Sequence, residues 1–136
     1  MSLQPASESF WKRYWAPMAW CAVLFLLSSI PDFSSPVRLS RWDDKWGHIL
    51  IYMPLGFFLM RALSDSRPGR QPKLLLIVTT LIGTAYGITD EVHQYFVPGR
   101  MMDWRDAVAD GLGVWLGGLL YFGMRRRFQN FNGRKS

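Results

Sequence analysis

Cysteine and histidine are scarce in this chain: one Cys, at position 21, and two His, at 48 and 93, among 136 residues. A lone cysteine makes no internal disulfide, and no Cys-x-x-Cys or Cys/His spacing accompanies it, so a thiolate metal cluster is excluded. No Gly-x-Ser-x-Gly elbow and no His-Glu-x-x-His pair occurs. General acid–base work is therefore the enzyme class left open to the chain. Acidic residues are also few, ten against sixteen Lys and Arg, and long stretches carry no charge at all.

What is abundant is apolar: 49% of the residues are hydrophobic and 15% aromatic. The mean hydropathy of +0.02 is unremarkable only because charged loops dilute the apolar runs. Four runs stand out, roughly Tyr14–Ile30, Trp46–Leu63, Leu74–Ile88 and Ala107–Met124. A membrane span needs about 20 residues, within a range of about 17–25. These runs are on the short side, the third being the weakest, and flanking turns with snorkelling Lys or Arg extend them. A soluble four-helix bundle is the competing architecture, and its helices would show a polar face on every turn. Leu74–Gly83 and Val114–Phe122 contain no charged residue. The reading is an all-α integral membrane bundle of four transmembrane helices in one domain, 1–136. Ser28-Ser29-Ile30-Pro31 is a poor cleavage site and the first run is long for a signal peptide, so that run is expected to be a retained helix, with Cys21 packed inside it.

Charge sets the expected orientation. Lys12, Arg13, Arg61, Arg67, Arg70, Lys73, Arg125, Arg126, Arg127, Arg134 and Lys135 fall on one side of a four-span chain, eleven of the sixteen basic residues. The other side holds Arg38, Arg41, Lys45, Arg100 and Arg105, together with eight of the ten carboxylates: Asp32, Asp43, Asp44, Asp90, Glu91, Asp103, Asp106 and Asp110. Cytoplasmic loops carry the Lys/Arg excess, so both termini are expected in the cytoplasm of an inner-membrane, multi-pass protein. The acidic side then faces outward. The basic side suits anionic lipid head groups. Arg125-Arg126-Arg127 follows a span directly, which marks it as a topology anchor rather than a nucleic-acid site.

Pro54 lies inside the second run and is expected to kink it or open a backbone carbonyl. Pro31 and Pro36 end the first run, while Pro68, Gly69 and Pro72 punctuate the basic loop. Gly83 with Gly87, and Gly113 with Gly117, are small residues four apart, a spacing that lets membrane helices approach closely. Spans three and four are expected to pack together through them.

The densest polar region is Asp90-Glu91-Val92-His93-Gln94, followed by Pro98-Gly99-Arg100 and by Asp103, Asp106 and Asp110. Ionisable groups at a membrane edge are costly unless paired, hydrated or used. Asp44, His48 and Tyr52 are spaced four apart, and Asp103, Asp106 and Asp110 three and four apart, so each set shares a helix face. Pro98-Gly99 supplies a turn that folds the end of span three against the start of span four. With span two alongside, one outward-facing pocket would hold His48, Asp90, Glu91, His93, Arg100, Asp103 and Asp106.

Three readings of that pocket compete. The first is structural, an ion-pair network that stiffens the hairpin, with Asp110, Gln94 and Tyr52 as packing or hydrogen-bonding groups. The second is a divalent metal held by the two His and a carboxylate; without a recognisable spacing, none is expected. The third is acid–base chemistry. In it His93, Glu91, Asp90 and His48 are the catalytic candidates, and Lys45, Arg100, Gln94, Asp103 and Asp106 bind the substrate, Arg100 and Lys45 holding a phosphate or carboxylate.

Taken together, Asp44-Lys45-x-x-His48-x-x-x-Tyr52, Tyr86-Gly87-x-x-Asp90-Glu91-x-His93-Gln94, Pro98-Gly99-Arg100 and Asp103-x-x-Asp106 resemble the VanZ-like family of small membrane proteins, over roughly residues 42–120. The resemblance implies a cell-envelope role with an association to glycopeptide (teicoplanin) resistance. It implies membrane lipids as partners, with a lipid-linked envelope precursor or a glycopeptide as ligand, and it names no cofactor. Family members often carry Asn where Asp110 stands, so this chain has an added titratable group there. A non-catalytic binding or structural protein remains the alternative to an enzyme.

Overall fold

The computed structural model describes residues 6–31, 43–67 and 69–133. Asp32, Pro36, Arg38, Arg41, Pro68, Arg134 and Lys135, and the side chains of Glu8, Asp43 and Asp44, lie outside the described residues. The remainder is all-α: α1 (Ala6–Ser28), α2 (Asp43–Ser66), α3 (Pro72–Tyr95) and α4 (Trp104–Gly133). At about 1.5 Å per residue, helices of this length exceed the roughly 30 Å of a hydrocarbon core. Three of them contain stretches long and apolar enough to cross a membrane, Lys45–Ser66, Pro72–Tyr95 and Trp104–Phe131. The expected fourth span, α1, falls short of the same measure. Its first half carries Lys12 and Arg13 among Trp, Tyr and Pro, which leaves a fully apolar stretch only toward its C-terminal end.

The helices alternate in direction. Starts of α2 and α4 meet the ends of α1 and α3 at one end of the bundle, as the Lys45–Asp103 and His93–Ser29 contacts show. The α3–α4 hairpin closes with the turn read from Pro98-Gly99. Arg100 N–H donates to the Val97 carbonyl at 3.1 Å, and Gly99 has φ +80°, the left-handed value that the third residue of such a turn requires.

Packing departs from expectation at one pair of glycines. Gly83 and Gly87 do face α4: a β-carbon at Gly83 would lie 2.5 Å from Val114, and one at Gly87 2.9 Å from Asp110 Oδ2. Gly113 and Gly117, however, face α2 rather than α3. A β-carbon there would lie 2.4 Å from the Ile49 carbonyl oxygen and 1.9 Å from that of Met53. Gly56 returns the contact from α2, its β-carbon position being 2.0 Å from the Val114 carbonyl oxygen. The two backbones therefore touch without intervening side chains, and α2–α4 is the most extensive helix pair. The physical reason is reciprocity: small residues on both helices allow a closer approach than small residues on one.

Two buried apolar clusters fill the bundle. One joins Leu24, Tyr52, Leu55 and Val114, the other Met60, Leu63 and Leu75. Large apolar side chains such as Leu50, Ile77, Leu81, Ile88, Trp115 and Leu120 point outward, as lipid contact requires. Exposed aromatics ring both ends: Trp46, Tyr95, Phe96 and Trp104 at one, Trp11, Trp15 and Phe128 at the other, the placement of interfacial anchors. α1 is tied on by polar contacts. Trp20 Nε1 donates to the Ile51 carbonyl at 2.9 Å, and Tyr86 OH to the Cys21 carbonyl at 2.6 Å. Pro54 lacks an N–H to donate, but α2 continues through it.

Gly117→Leu is expected to destabilise the protein by about 3 kcal/mol or more, at or beyond the top of the usual overpacking range, because the obstacle is backbone. Gly123, with nothing within 4 Å of its β-carbon position, is the control: Gly123→Ala should gain about 0.5–1 kcal/mol of helix propensity. Unfolding in detergent, followed by circular dichroism, measures both.

Candidate functional site

The close approach of α2 and α4 lines up two stripes. On α2 these are Lys45, His48 and Tyr52; on α4 they are Asp106 and Asp110, with Asp103 just before the helix. Lys45 Nζ reaches Asp103 Oδ2 at 3.0 Å and also pairs with Asp106. One turn deeper, His48 Nδ1 meets Asp110 Oδ1 at 2.8 Å, and its Nε2 lies 3.8 Å from Asp106 Oδ2. Another turn along, Tyr52 OH donates to Asp90 Oδ2 of α3 at 3.1 Å, and Gln94 Nε2 donates to the same oxygen at 3.3 Å.

Asp103 has an identifiable local job. Its Oδ1 accepts the Arg105 backbone N–H at 2.9 Å, so it is the N-cap of α4. Its own N–H donates to Glu91 Oε2 at 3.0 Å. The Arg105 N–H, and then Lys45, hold the Asp103 carboxyl below the usual aspartate range. Glu91 thus reaches from α3 to the start of α4 and fastens one helix end to the other.

Five carboxylates converge here, from Asp90, Glu91, Asp103, Asp106 and Asp110, against Lys45 and His48. All but Asp103 are buried, Glu91 at 1% and Asp110 at 0% exposure. A buried carboxylate oxygen without a partner is costly, since water is not there to solvate it. Yet Asp90 Oδ1, Glu91 Oε1 and Asp110 Oδ2 have no hydrogen-bond partner among the described residues. Among the described residues His48, Glu91 and Asp110 each offer one ligand atom within 4.8 Å of the others, a group that could hold a metal ion.

A search of protein-family models matches residues 2–126 to the VanZ/LLP1 family. The chain belongs to the VanZ/LLP1 family. No curated protein and no solved structure matches it.

In this VanZ/LLP1 chain the structure brings together most of the residues singled out by spacing, but not all. His48, Asp90, Glu91, Gln94, Asp103, Asp106 and Lys45 form one cluster. His93 turns instead to α1. Its ring stacks on Phe25 with centroids 4.5 Å apart, and its Nε2 lies 2.9 Å from Ser29 Oγ. Ser29 donates its hydroxyl hydrogen to the Phe25 carbonyl, so His93 is the donor in that pair. Arg100 also turns to α1, where its Nη2 donates to the Leu27 carbonyl at 3.5 Å near the negative end of the helix. Lys45 is engaged by two carboxylates. The anion-holding role expected of Lys45 and Arg100 therefore meets two cations already committed to protein oxygens.

Tyr52 and Asp110, read from spacing as packing or hydrogen-bonding groups, sit in the middle of the cluster, each in a hydrogen bond. The signal was present in the sequence: Tyr52 continues the Asp44–His48 stripe, and Asp110 continues the Asp103–Asp106 stripe. Nothing in the sequence pointed to Gly56 or Ser29, whose roles depend on which helices become neighbours.

Tyr52→Phe leaves Asp90 Oδ2 with Gln94 alone and should cost about 1–3 kcal/mol, read from detergent unfolding. Asp103 contributes stability that is full above its unfolded value of about 3.9 and is lost as pH falls through its lower folded value. Melting temperature measured from pH 6 downward should therefore fall below about pH 4, and that limb should flatten in Asp103→Asn.

Proposed function

We propose that this VanZ/LLP1 member is a four-span protein of the cytoplasmic membrane, α1 being the fourth span, with both termini inside. The buried acidic end then faces the extracytoplasmic side, where it binds and processes a lipid-linked or envelope ligand. The observation that carries this reading is the set of unpartnered buried oxygens on Asp90, Glu91 and Asp110. A network kept only for rigidity satisfies its members, because a half-satisfied polar network is worse than an apolar core. Carboxylates left short of partners between three helices are instead arranged for something that enters.

His48 and Asp110 supply the acid–base pair. A single hydrogen shared across 2.8 Å satisfies both atoms and fixes the imidazole plane, leaving Nε2 toward Asp106. Glu91 stands beside them with Oε2 anchored and Oε1 available. Lys45 and Asp103 position the start of α4 rather than touch the ligand. The basic ring of Arg67, Arg70, Lys73 and Arg125–Arg127 supports the orientation, since cytoplasmic faces carry such an excess. Glycopeptide (teicoplanin) resistance is the phenotype that membership of this family brings to the proposal.

The non-catalytic reading, a binding or structural protein, is favoured by one observation: Lys45 clamps Asp103 and Asp106, as an ion-pair network would.

Expression in a susceptible host should raise the inhibitory concentration of teicoplanin. His48→Gln should abolish that rise at unchanged membrane accumulation, whereas His93→Gln should retain most of it. Equal loss in both variants, accompanied by loss of the protein from the membrane, would favour the structural reading. C-terminal reporter fusions should be active only as cytoplasmic reporters.

A further inference from the structure

We propose that His48, Glu91 and Asp110 form a divalent metal site of the zinc class, one ion per chain, at the buried junction of α2, α3 and α4. The inference deepens the preceding reading of the same cluster and reverses the expectation, drawn from spacing alone, that no metal is held there. The three residues stand 43 and 19 positions apart in the chain, so no local motif announces them. Folding brings a ring nitrogen and two carboxylate oxygens within 4.8 Å of one another.

Three features separate this from a chance gathering of acids. The first is an imidazole among the donors, and mixed nitrogen and oxygen donors suit zinc and its neighbours rather than magnesium or calcium. The second is the set of free oxygens. Glu91 Oε1 and Asp110 Oδ2 have no partner, although Glu91 and Asp110 are 1% and 0% exposed. The third is preorganisation. His48 Nδ1 and Asp110 Oδ1 already lie 2.8 Å apart, a contact whose hydrogen an ion at Nδ1 would displace, and Glu91 is held through its other oxygen by the Asp103 N–H at 3.0 Å. Outer hydrogen bonds of this kind orient ligands in metal sites. Glycine at position 87 is part of the arrangement: its absent β-carbon would lie 2.9 Å from Asp110 Oδ2, so any larger residue would press on the carboxylate.

The charge balance points the same way. Carboxylates outnumber the cations of the cluster, and a dication offsets that excess in a low-dielectric setting. Three protein donors leave further coordination positions open, the pattern of zinc sites that take a water or a substrate oxygen. The ion would also supply the positive charge needed by an anionic envelope ligand at an end where Lys45 and Arg100 are bound to protein oxygens. The ligand class that follows is a phosphate or carboxylate group, presented from the membrane surface.

The test uses the full-length protein in phosphatidylcholine nanodiscs, stripped with EDTA and titrated with zinc chloride by calorimetry, with zinc content measured after desalting. Wild type should retain about one zinc per chain and gain melting temperature on loading. Glu91→Gln and Asp110→Asn, which keep side-chain volume, should each weaken zinc binding about tenfold or more and lose the thermal gain. Circular dichroism identifies any variant that fails to fold, and the wild-type titration then decides alone. Absence of retained zinc and of binding heat in the wild type overturns the site, as does unchanged zinc affinity in both folded variants. Neither readout depends on membrane orientation or on teicoplanin, so zinc uptake without a resistance phenotype would refute the functional reading and leave the metal site standing.

Discussion

The contact on which the rest depends is backbone against backbone between α2 and α4. Gly56, Gly113 and Gly117 leave no room for a β-carbon, in each case because a carbonyl oxygen of the other helix occupies the space. In lipid there is no hydrophobic drive to hold helices together, so close packing and interhelical hydrogen bonds have to do it. Once α2 and α4 lie this close and run parallel, their registers are coupled. Lys45 meets Asp103 and Asp106, and His48 meets Asp110, because Gly113 and Gly117 sit on Ile49 and Met53. The polar end is thus a consequence of the apolar middle.

The two ends of the bundle solve opposite problems. At the basic end, Arg and Lys are exposed and can reach lipid head groups or water, so they impose little on the fold. At the acidic end Asp90, Glu91, Asp106 and Asp110, on α3 and α4, are inside, and Asp90, Glu91 and Asp110 each keep one oxygen without a hydrogen-bond partner among the described residues. Asp103 shows how tightly local and tertiary roles are joined there: it caps α4, receives Lys45 and donates its N–H to Glu91. The same N–H that completes the start of α4 orients Glu91 toward His48 and Asp110.

Much of this was legible beforehand. The helical class, the Pro98-Gly99 turn and the facing of Gly83 and Gly87 toward α4 follow from run length, turn chemistry and small-residue spacing. Those are local properties, and they survive folding unchanged. The ranking of the spans does not follow, since the third run, the weakest on reading, qualifies in α3 while α1 falls short. The cluster was legible as two stripes, Asp44–His48–Tyr52 and Asp103–Asp106–Asp110, although the side chain of Asp44 lies outside the described residues. What spacing misjudged was partnership. Chain proximity points Gly113 and Gly117 toward α3 and places His93 and Arg100 in the pocket, but the two glycines meet α2 and His93 and Arg100 meet α1.

His93 makes the distinction concrete. It is three residues from Asp90 and two from Glu91, yet it belongs to the contact with α1, while Glu91 belongs to the contact with α4. A helix turns about 100° per residue, so adjacent positions look toward different neighbours. The chain by itself determined that this is a helical membrane protein with one acidic and one basic end, because apolar runs, turn residues and charge counts are written locally. Only the tertiary structure decided that His48, Glu91 and Asp110 share a site while His93 and Arg100 brace α1. Which face meets which helix depends on how closely whole backbones can pack, and no single stretch of sequence carries that information.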